Sequence, residues 1–215
     1  MELVINDKEY YVPKKWSEIS LRRYISFITT YNEEASEAEQ ELHLISTILG
    51  VHIDTIGKAK KSVIDKVVLE LTELINNPAS ENLVLEFELD GVEYGFNPNL
   101  SELKLKEFVD LDNKLGNGWQ DMHKVMSILY RPIVKRRKDK YDIEEYDFRT
   151  AAKRADIFID NLSVDVVNAA AAFFLTIVMD YIEITQAYLK MNRKQKRQLI
   201  KQMKRRLTSA TGGTQ

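Results

Sequence analysis

Three histidines, His43, His52 and His123, are the side chains best placed to exchange protons near neutral pH, and the chain has no cysteine to work beside them. Thiolate nucleophiles, disulfides and Cys-ligated zinc are thereby excluded. His43 follows Glu41, and His123 follows Asp121, each by two residues. A helix turns such neighbours to different faces, so neither pair readily grips one ion. Asp110, Asp112 and Asp121 offer the hard oxygens that divalent cations take. They gather around Gly116-Asn117-Gly118 with no further ligand, and read as solvated acids. The eight glycines form no phosphate-cradling loop. There is neither a His-Glu-x-x-His zinc helix nor a Gly-x-Ser-x-Gly elbow. The expectation is a non-enzymatic protein without metal or cofactor, its histidines on helix surfaces or at interfaces.

Charge is the stronger chemical signal. Lys135, Arg136, Arg137 and Lys138 form one basic run, followed at once by Asp142, Glu144, Glu145 and Asp147. Its field is largely local, and a solvated arm is expected. The second run lies near the end: Lys190, Arg193, Lys194, Lys196, Arg197, Lys201, Lys204, Arg205 and Arg206. No acid follows Glu183. With a formal net charge of −2, the rest of the chain is clearly acidic, with a cluster at Glu33, Glu34, Glu37, Glu39 and Glu41. Leu199, Met203 and Leu207 share one face of the basic segment, with Ile200 beside them. Such a helix suits an acidic partner groove, nucleic acid or the protein's own acidic body. Its apolar face lacks aromatics, which disfavours a membrane. The candidate partner-binding residues are therefore Lys135, Arg136, Arg137 and Lys138, together with Lys190, Arg193, Lys194, Arg197, Lys201, Lys204 and Arg205.

The elements that carry these residues follow a weak internal repeat. EYYVPKKWSEISLRRYI, from Glu9, aligns without a gap on EYGFNPNLSELKLKEFV, from Glu93. QELHLISTIL, from Gln40, then aligns on QDMHKVMSIL, from Gln120. Each half opens with a hairpin. Leu85, Phe87 and Leu89 alternate with acids, Asp90-Gly91 turns the chain, and Val92, Tyr94 and Phe96 return. That register sets Leu89 against Val92 and Phe87 against Tyr94. Asn6-Asp7 turns the first hairpin. Ser17 and Ser101 mark helix starts. Leu21, Tyr24, Ile25 and Ile28 follow helical spacing, as do Leu105, Phe108 and Val109. Leu42, Ile45, Ile48 and Leu49 mark a second helix, matched by Met122, Val125, Ile128 and Leu129. A third spans roughly residues 58–76, with Val63, Ile64, Val67, Val68, Leu71, Leu74 and Ile75 on its stripe. Trp16 and Trp119 are expected to pack with the core.

The fold class expected is mainly α with two small β-hairpins, an α+β arrangement built by tandem duplication. Residues 1–80 form the first hairpin-helical repeat. Residues 81–188 form the second, with the charged insertion at 134–149. Residues 189–215 form a basic helix and a disordered tail. With 44% hydrophobic and 30% charged residues the composition is that of a folded globular chain. MELVINDKEYY has no apolar signal core, so secretion is not expected. The longest apolar run, Ala169 to Met179, falls short of the ~20 residues a membrane span needs, and reads as a buried helix capped by Ser163.

The run Met126-Ser127-Ile128-Leu129-Tyr130-Arg131-Pro132-Ile133, followed by a basic loop and Tyr141-Asp142-Ile143-Glu144-Glu145-Tyr146, resembles small virion-morphogenesis proteins of tailed bacteriophages, crAss-like phages included. The opening hairpin and Val12-Pro13-Lys14-Lys15-Trp16-Ser17-Glu18-Ile19-Ser20-Leu21 look like the start of the same group. The resemblance reaches about Met179 and excludes the basic tail. It implies a tail or neck component or a tail assembly chaperone, located in the virion or in the host cytoplasm during assembly, whose partners are other virion or assembly proteins. The rival expectation is a nucleic-acid-binding accessory protein that uses the basic C-terminal segment.

Overall fold

The computed structural model describes residues 2–5, 8–77, 82–97, 100, 103–138, 140–174 and 201. The chain is mostly helical with two small antiparallel sheets, an α+β fold. It divides into two compact units.

The first unit comprises residues 1–80 and 156–168. Strands β1 (Glu2–Ile5) and β2 (Lys8–Tyr11) pair antiparallel, Leu3 opposite Tyr10. Asn6 and Asp7, the expected turn, lie outside the described residues. A 3-10 turn at Trp16–Glu18 precedes helix α1 (Leu21–Thr30). Ser17 sits inside that turn, so Ser20 and not Ser17 occupies the position before the helix. Helix α2 (Glu37–Leu49) starts at a capping box: the Ser36 hydroxyl accepts from the Glu39 amide, and the Glu39 carboxylate accepts from the Ser36 amide at 2.9 Å. It ends at Gly50, whose φ of 66° is the left-handed conformation glycine adopts without Cβ strain. The expected third helix is α4 (Lys61–Asn76), and a short α3 (Ile53–Ile56) that was not expected precedes it.

These elements close on one apolar core. Leu3 and Ile5 of β1, Ile45 and Ile48 of α2, and Ile64, Val67 and Leu71 of α4 are all buried in it. Trp16 is half-buried against this core, its ring edge-on to Tyr24 and its indole N–H donating to the Asn77 carbonyl at 2.8 Å. Residues 156–168 complete the unit. The Leu21 amide donates to the Leu162 carbonyl (2.9 Å) and the Val164 amide to the Ile19 carbonyl (3.0 Å), while Val164 joins the core. Arg22 and Asp160 form an exposed ion pair across the same join.

The second unit comprises residues 81–155 and 169–215. Strands β3 (Glu86–Leu89) and β4 (Val92–Phe96) form the expected hairpin in the expected register, Leu89 opposite Val92 and Phe87 opposite Tyr94. Asp90 and Gly91 both take positive φ (52° and 76°), as a two-residue turn of this type requires. Ser101, the expected start of the next helix, is outside the described residues. Helix α5 (Leu105–Leu115), a 3-10 turn at Gly118–Asp121 and helix α6 (Met122–Leu129) follow.

The charged stretch 134–149 is not the exposed loop that its composition suggested. β5 (Tyr130–Arg137) and β6 (Lys140–Ile143) run through it and extend the hairpin into a four-stranded sheet in the order β3-β4-β5-β6. The start of β5 is anchored on β4, with Tyr130 and Arg131 buried opposite Phe96 and Gly95, and the charges farther along then compensate across strands, which a one-dimensional reading of a basic run cannot show. Lys135 stands opposite Asp142, and the Arg136 guanidinium reaches Glu86 (2.7 Å) on β3 and Glu93 (3.2 Å) on β4. A register shift between Ile133 and Lys135 marks a bulge. Helix α7 (Phe148–Asn161) follows, then α8 over residues 164–174. The sheet and its helices enclose an aromatic core: Phe87 and Phe96 each pack on Tyr130 at 5.1 Å, and Phe173 meets Phe96 edge-on at 5.6 Å.

The two hairpin-helix segments share their spacing. Adding 84 to the residue numbers of β1, β2 and the start of α1 gives those of β3, the first four residues of β4 and the start of α5. Their packing differs. Leu21 on α1 is fully buried, whereas Leu105, its counterpart on α5, is 79% exposed.

Candidate functional site

The candidate residues fall into two groups. Lys135, Arg136, Arg137 and Lys138 lie on β5 and its turn, exposed to solvent. Arg136 is held between Glu86 and Glu93, and Arg137 pairs with Asp142 at 3.4 Å. Lys138 takes a φ of 55° at the tip of the hairpin. The basic character of this arm is therefore largely cancelled by acids on its own sheet. Lys201 is exposed. Lys190, Arg193, Lys194, Arg197, Lys204 and Arg205 lie outside the described residues, as does the part of the expected apolar helix beyond Phe174.

The acids and histidines of the second unit are engaged elsewhere. Asp121 is buried, accepting from Lys124 Nζ at 2.6 Å and Asn117 Nδ2 at 2.7 Å. Burial opposes its ionisation, but these two partners prevail and hold its pKa below the ordinary carboxylate range. Asp110 accepts from the Tyr146 hydroxyl at 2.5 Å. Burial first, then this hydrogen bond, drive the Tyr146 pKa upward. Among the described residues no group of three or more His, Asp or Glu converges as a cation site.

A buried polar cluster was invisible in the sequence. Glu107, Arg131 and Asn97 are each buried. Glu107 Oε1 accepts from Arg131 Nη2 at 2.7 Å and from Asn97 Nδ2 at 3.1 Å. Burial raises the Glu107 pKa, against the pull of the Arg131 cation and the Asn97 amide. Nearby, the buried Arg154 on α7 donates to the Ser127 carbonyl at 2.7 Å and pairs with Glu144. These contacts tie α5 to β5, and α7 to both α6 and the end of β6. The signal available in advance was weak: a charged residue on a helix ordinarily reads as solvent-facing.

His43 is half-buried in the first unit. Its ring stacks on Phe27 (5.6 Å, 30°) and tilts against Tyr31 (6.0 Å). Thr30 Oγ1 donates its only proton to the Ser26 carbonyl at 2.6 Å, so the 2.7 Å contact between Thr30 Oγ1 and His43 Nε2 is donated by the imidazole. Nδ1 is then the bare nitrogen; it is buried and has no hydrogen-bond partner among the described residues. Burial lowers the His43 pKa. That arrangement suits a packed ring better than a proton shuttle.

What remains open to other molecules is apolar. On α5, Leu105, Phe108 (55% exposed) and Val109 (45% exposed) share one face, opposite the buried Glu107 and Leu111. Beside α5 an open groove of about 500 Å³ runs between Lys106, Lys114 and Lys124, floored by Ile128, Phe148 and Ala152. In the first unit a groove of about 520 Å³ lies between α1, α2 and α4. Its floor is Phe27, Ile28, Leu44 and Val68, and its charged rim is Glu37 and Glu41. Among the described residues no helix is long and apolar enough to cross a membrane.

No family model, curated protein or solved structure matches the chain.

Proposed function

We propose that the protein is a non-enzymatic binding protein that works through protein–protein contacts. The α5 face carries this reading. Leu105, Phe108 and Val109 occupy helix positions whose counterparts on α1 (Leu21, Tyr24 and Ile25) are buried or half-buried. An exposed apolar stripe of this kind is costly to leave in water and is typical of a surface that a partner covers. The cross-strand pairing of the basic arm supports the same preference, since paired guanidinium groups are poor phosphate ligands. Joined to the resemblance carried by Met126–Ile133 and Tyr141–Tyr146, the surface suits a structural or assembly protein of a tailed bacteriophage, a tail or neck component or a tail assembly chaperone, acting in the virion or in the host cytoplasm.

The test is capture of partners from cells producing the remaining virion proteins, with the wild type and a Leu105→Glu/Phe108→Glu variant as bait. The variant changes exposed side chains, so it should melt like the wild type. Loss of the captured virion proteins supports the reading. A bait that captures none, or a variant that captures the same set as the wild type, overturns it. The rival reading, nucleic-acid binding through the acid-free C-terminal segment, predicts an affinity that falls steeply with salt and vanishes without residues 190–215.

A further inference from the structure

We infer that the acid-rimmed groove of the first unit receives the basic C-terminal segment of a second copy of this chain, so that copies associate head to tail. Three observations meet here. The groove has the form that accepts an amphipathic helix, an apolar floor of Phe27, Ile28, Leu44 and Val68 between helices. Tyr31 and Ile75 at its edge are 42% and 38% exposed. Among the described residues its charged lining groups are Glu37 and Glu41, both acidic, and Glu33 and Glu34 stand exposed just before α2. Glu41 shares Lys61 with Asp65, so that lysine is divided between two acids and leaves the local charge negative.

The chain supplies the complementary shape. Nine of its 31 basic side chains, and none of its 33 acids, follow Glu183. Residues 1–183 therefore hold 22 bases against 33 acids. Leu199, Ile200, Met203 and Leu207 recur at the spacing of one helix face, and Lys204 and Arg206 border it on either side. The apolar face matches the groove floor and the border matches its acidic rim. A groove and its ligand on one chain make a heterologous interface, which repeats from copy to copy and gives a ring if the rotation closes or a fibre if it does not. This goes beyond the partner surface on α5 and uses none of its residues.

The experiment uses the full-length chain in three forms: wild type, a groove variant (Glu37→Lys/Glu41→Lys) and a tail variant (Lys204→Glu/Arg206→Glu). Sedimentation velocity over a concentration series reads association, and thermal melting checks that each form is folded. The wild type is expected to associate with rising concentration, and less so at high salt. Each variant alone is expected to associate at least tenfold more weakly. An equimolar mixture of the two is expected to form a 1:1 complex, because the intact tail of one meets the intact groove of the other. A wild type that stays monomeric throughout overturns the inference, whether its tail docks on its own chain or binds added DNA. So does association that the groove variant leaves unchanged, or a mixture that recovers nothing. The Leu105→Glu/Phe108→Glu variant should self-associate like the wild type, which separates failure here from failure of the α5 reading.

Discussion

Glu107 shows how a single buried charge is tolerated. Its carboxylate and the Arg131 guanidinium are both nearly inaccessible, with side chains 5% and 6% exposed, and each would be strongly disfavoured alone. Asn97 and Arg131 both donate to Glu107 Oε1, while Arg131 Nε has no partner among the described residues. Glu107→Leu should cost about 3–5 kcal/mol, because it strands a buried cation. Glu107→Gln keeps an acceptor oxygen and should cost roughly half as much or less. Urea unfolding of both variants checks the difference. His43 sets a pH dependence of definite sign. Its folded pKa lies below the unfolded value, so on acidification the unfolded chain takes a proton that the folded ring resists. Stability should therefore decline as pH falls from about 7.5 to 5.5. His43→Leu should flatten that slope in melting curves recorded across the range. Neither residue advertised its environment. Glu107 sits in a sequence rich in charge, and His43 precedes an ordinary helical pattern. Burial of either is a property of what packs over it.

At the scale of elements, the legible parts were those governed by local chemistry. Asp90-Gly91 specifies a turn, and the alternation around it specifies the register, so β3 and β4 were readable in full. The capping box at Ser36 and Glu39 is equally local, but its Ser-x-x-Glu spacing is masked by the run of acids around it. β5 and β6 were not legible, because their partners are distant in the chain: β5 pairs with β4 more than 30 residues earlier, and Arg136 reaches Glu86 and Glu93 more than 40 residues away. The same sheet depends on one glycine. A Cβ on Gly95 would stand 2.4 Å from the Tyr141 ring, which lies over it and donates its hydroxyl to the Phe96 carbonyl at 2.8 Å. Burial pushes the Tyr141 pKa up to about 12, so that hydroxyl stays a donor at physiological pH. Gly95→Ala should displace the ring and cost about 1–3 kcal/mol. In a Tyr141→Ala background the same change should cost far less, and a double-mutant cycle measures the coupling. The pattern of α5 was legible as a helix but not as a surface. Leu105, Phe108 and Val109 repeat the spacing of α1, and only the neighbours decide whether such a stripe is covered.

At the scale of the molecule, the sequence indicated two hairpin-led halves, and the described chain holds two compact units. The tandem copying itself remains a proposal, supported by the shared 84-residue offset and opposed by the unlike packing of α1 and α5. The first unit also draws on residues 156–168, which no linear pattern connects with it. The Leu21 amide depends on the Leu162 carbonyl, and the Ile19 carbonyl on the Val164 amide. A fragment of residues 1–80 should therefore exchange its Leu21 amide hydrogen far faster than the full chain does, while amides in the middle of α4 slow the exchange in both. Hydrogen–deuterium exchange read residue by residue distinguishes this from a fragment that is as protected as the whole.

The same join sets an order of events during translation. A ribosome emits the hairpin, α1, α2 and α4 early, yet the backbone partners that finish this unit are made some 80 residues later. At ~5–20 residues per second the nascent unit waits on the order of ten seconds with Val164 missing from its core. Through that interval the unfinished edge beside Ile19 and Leu21 is exposed to whatever else is in reach, so a pause in elongation before residue 164 should raise the risk of misassembly more than a pause after it.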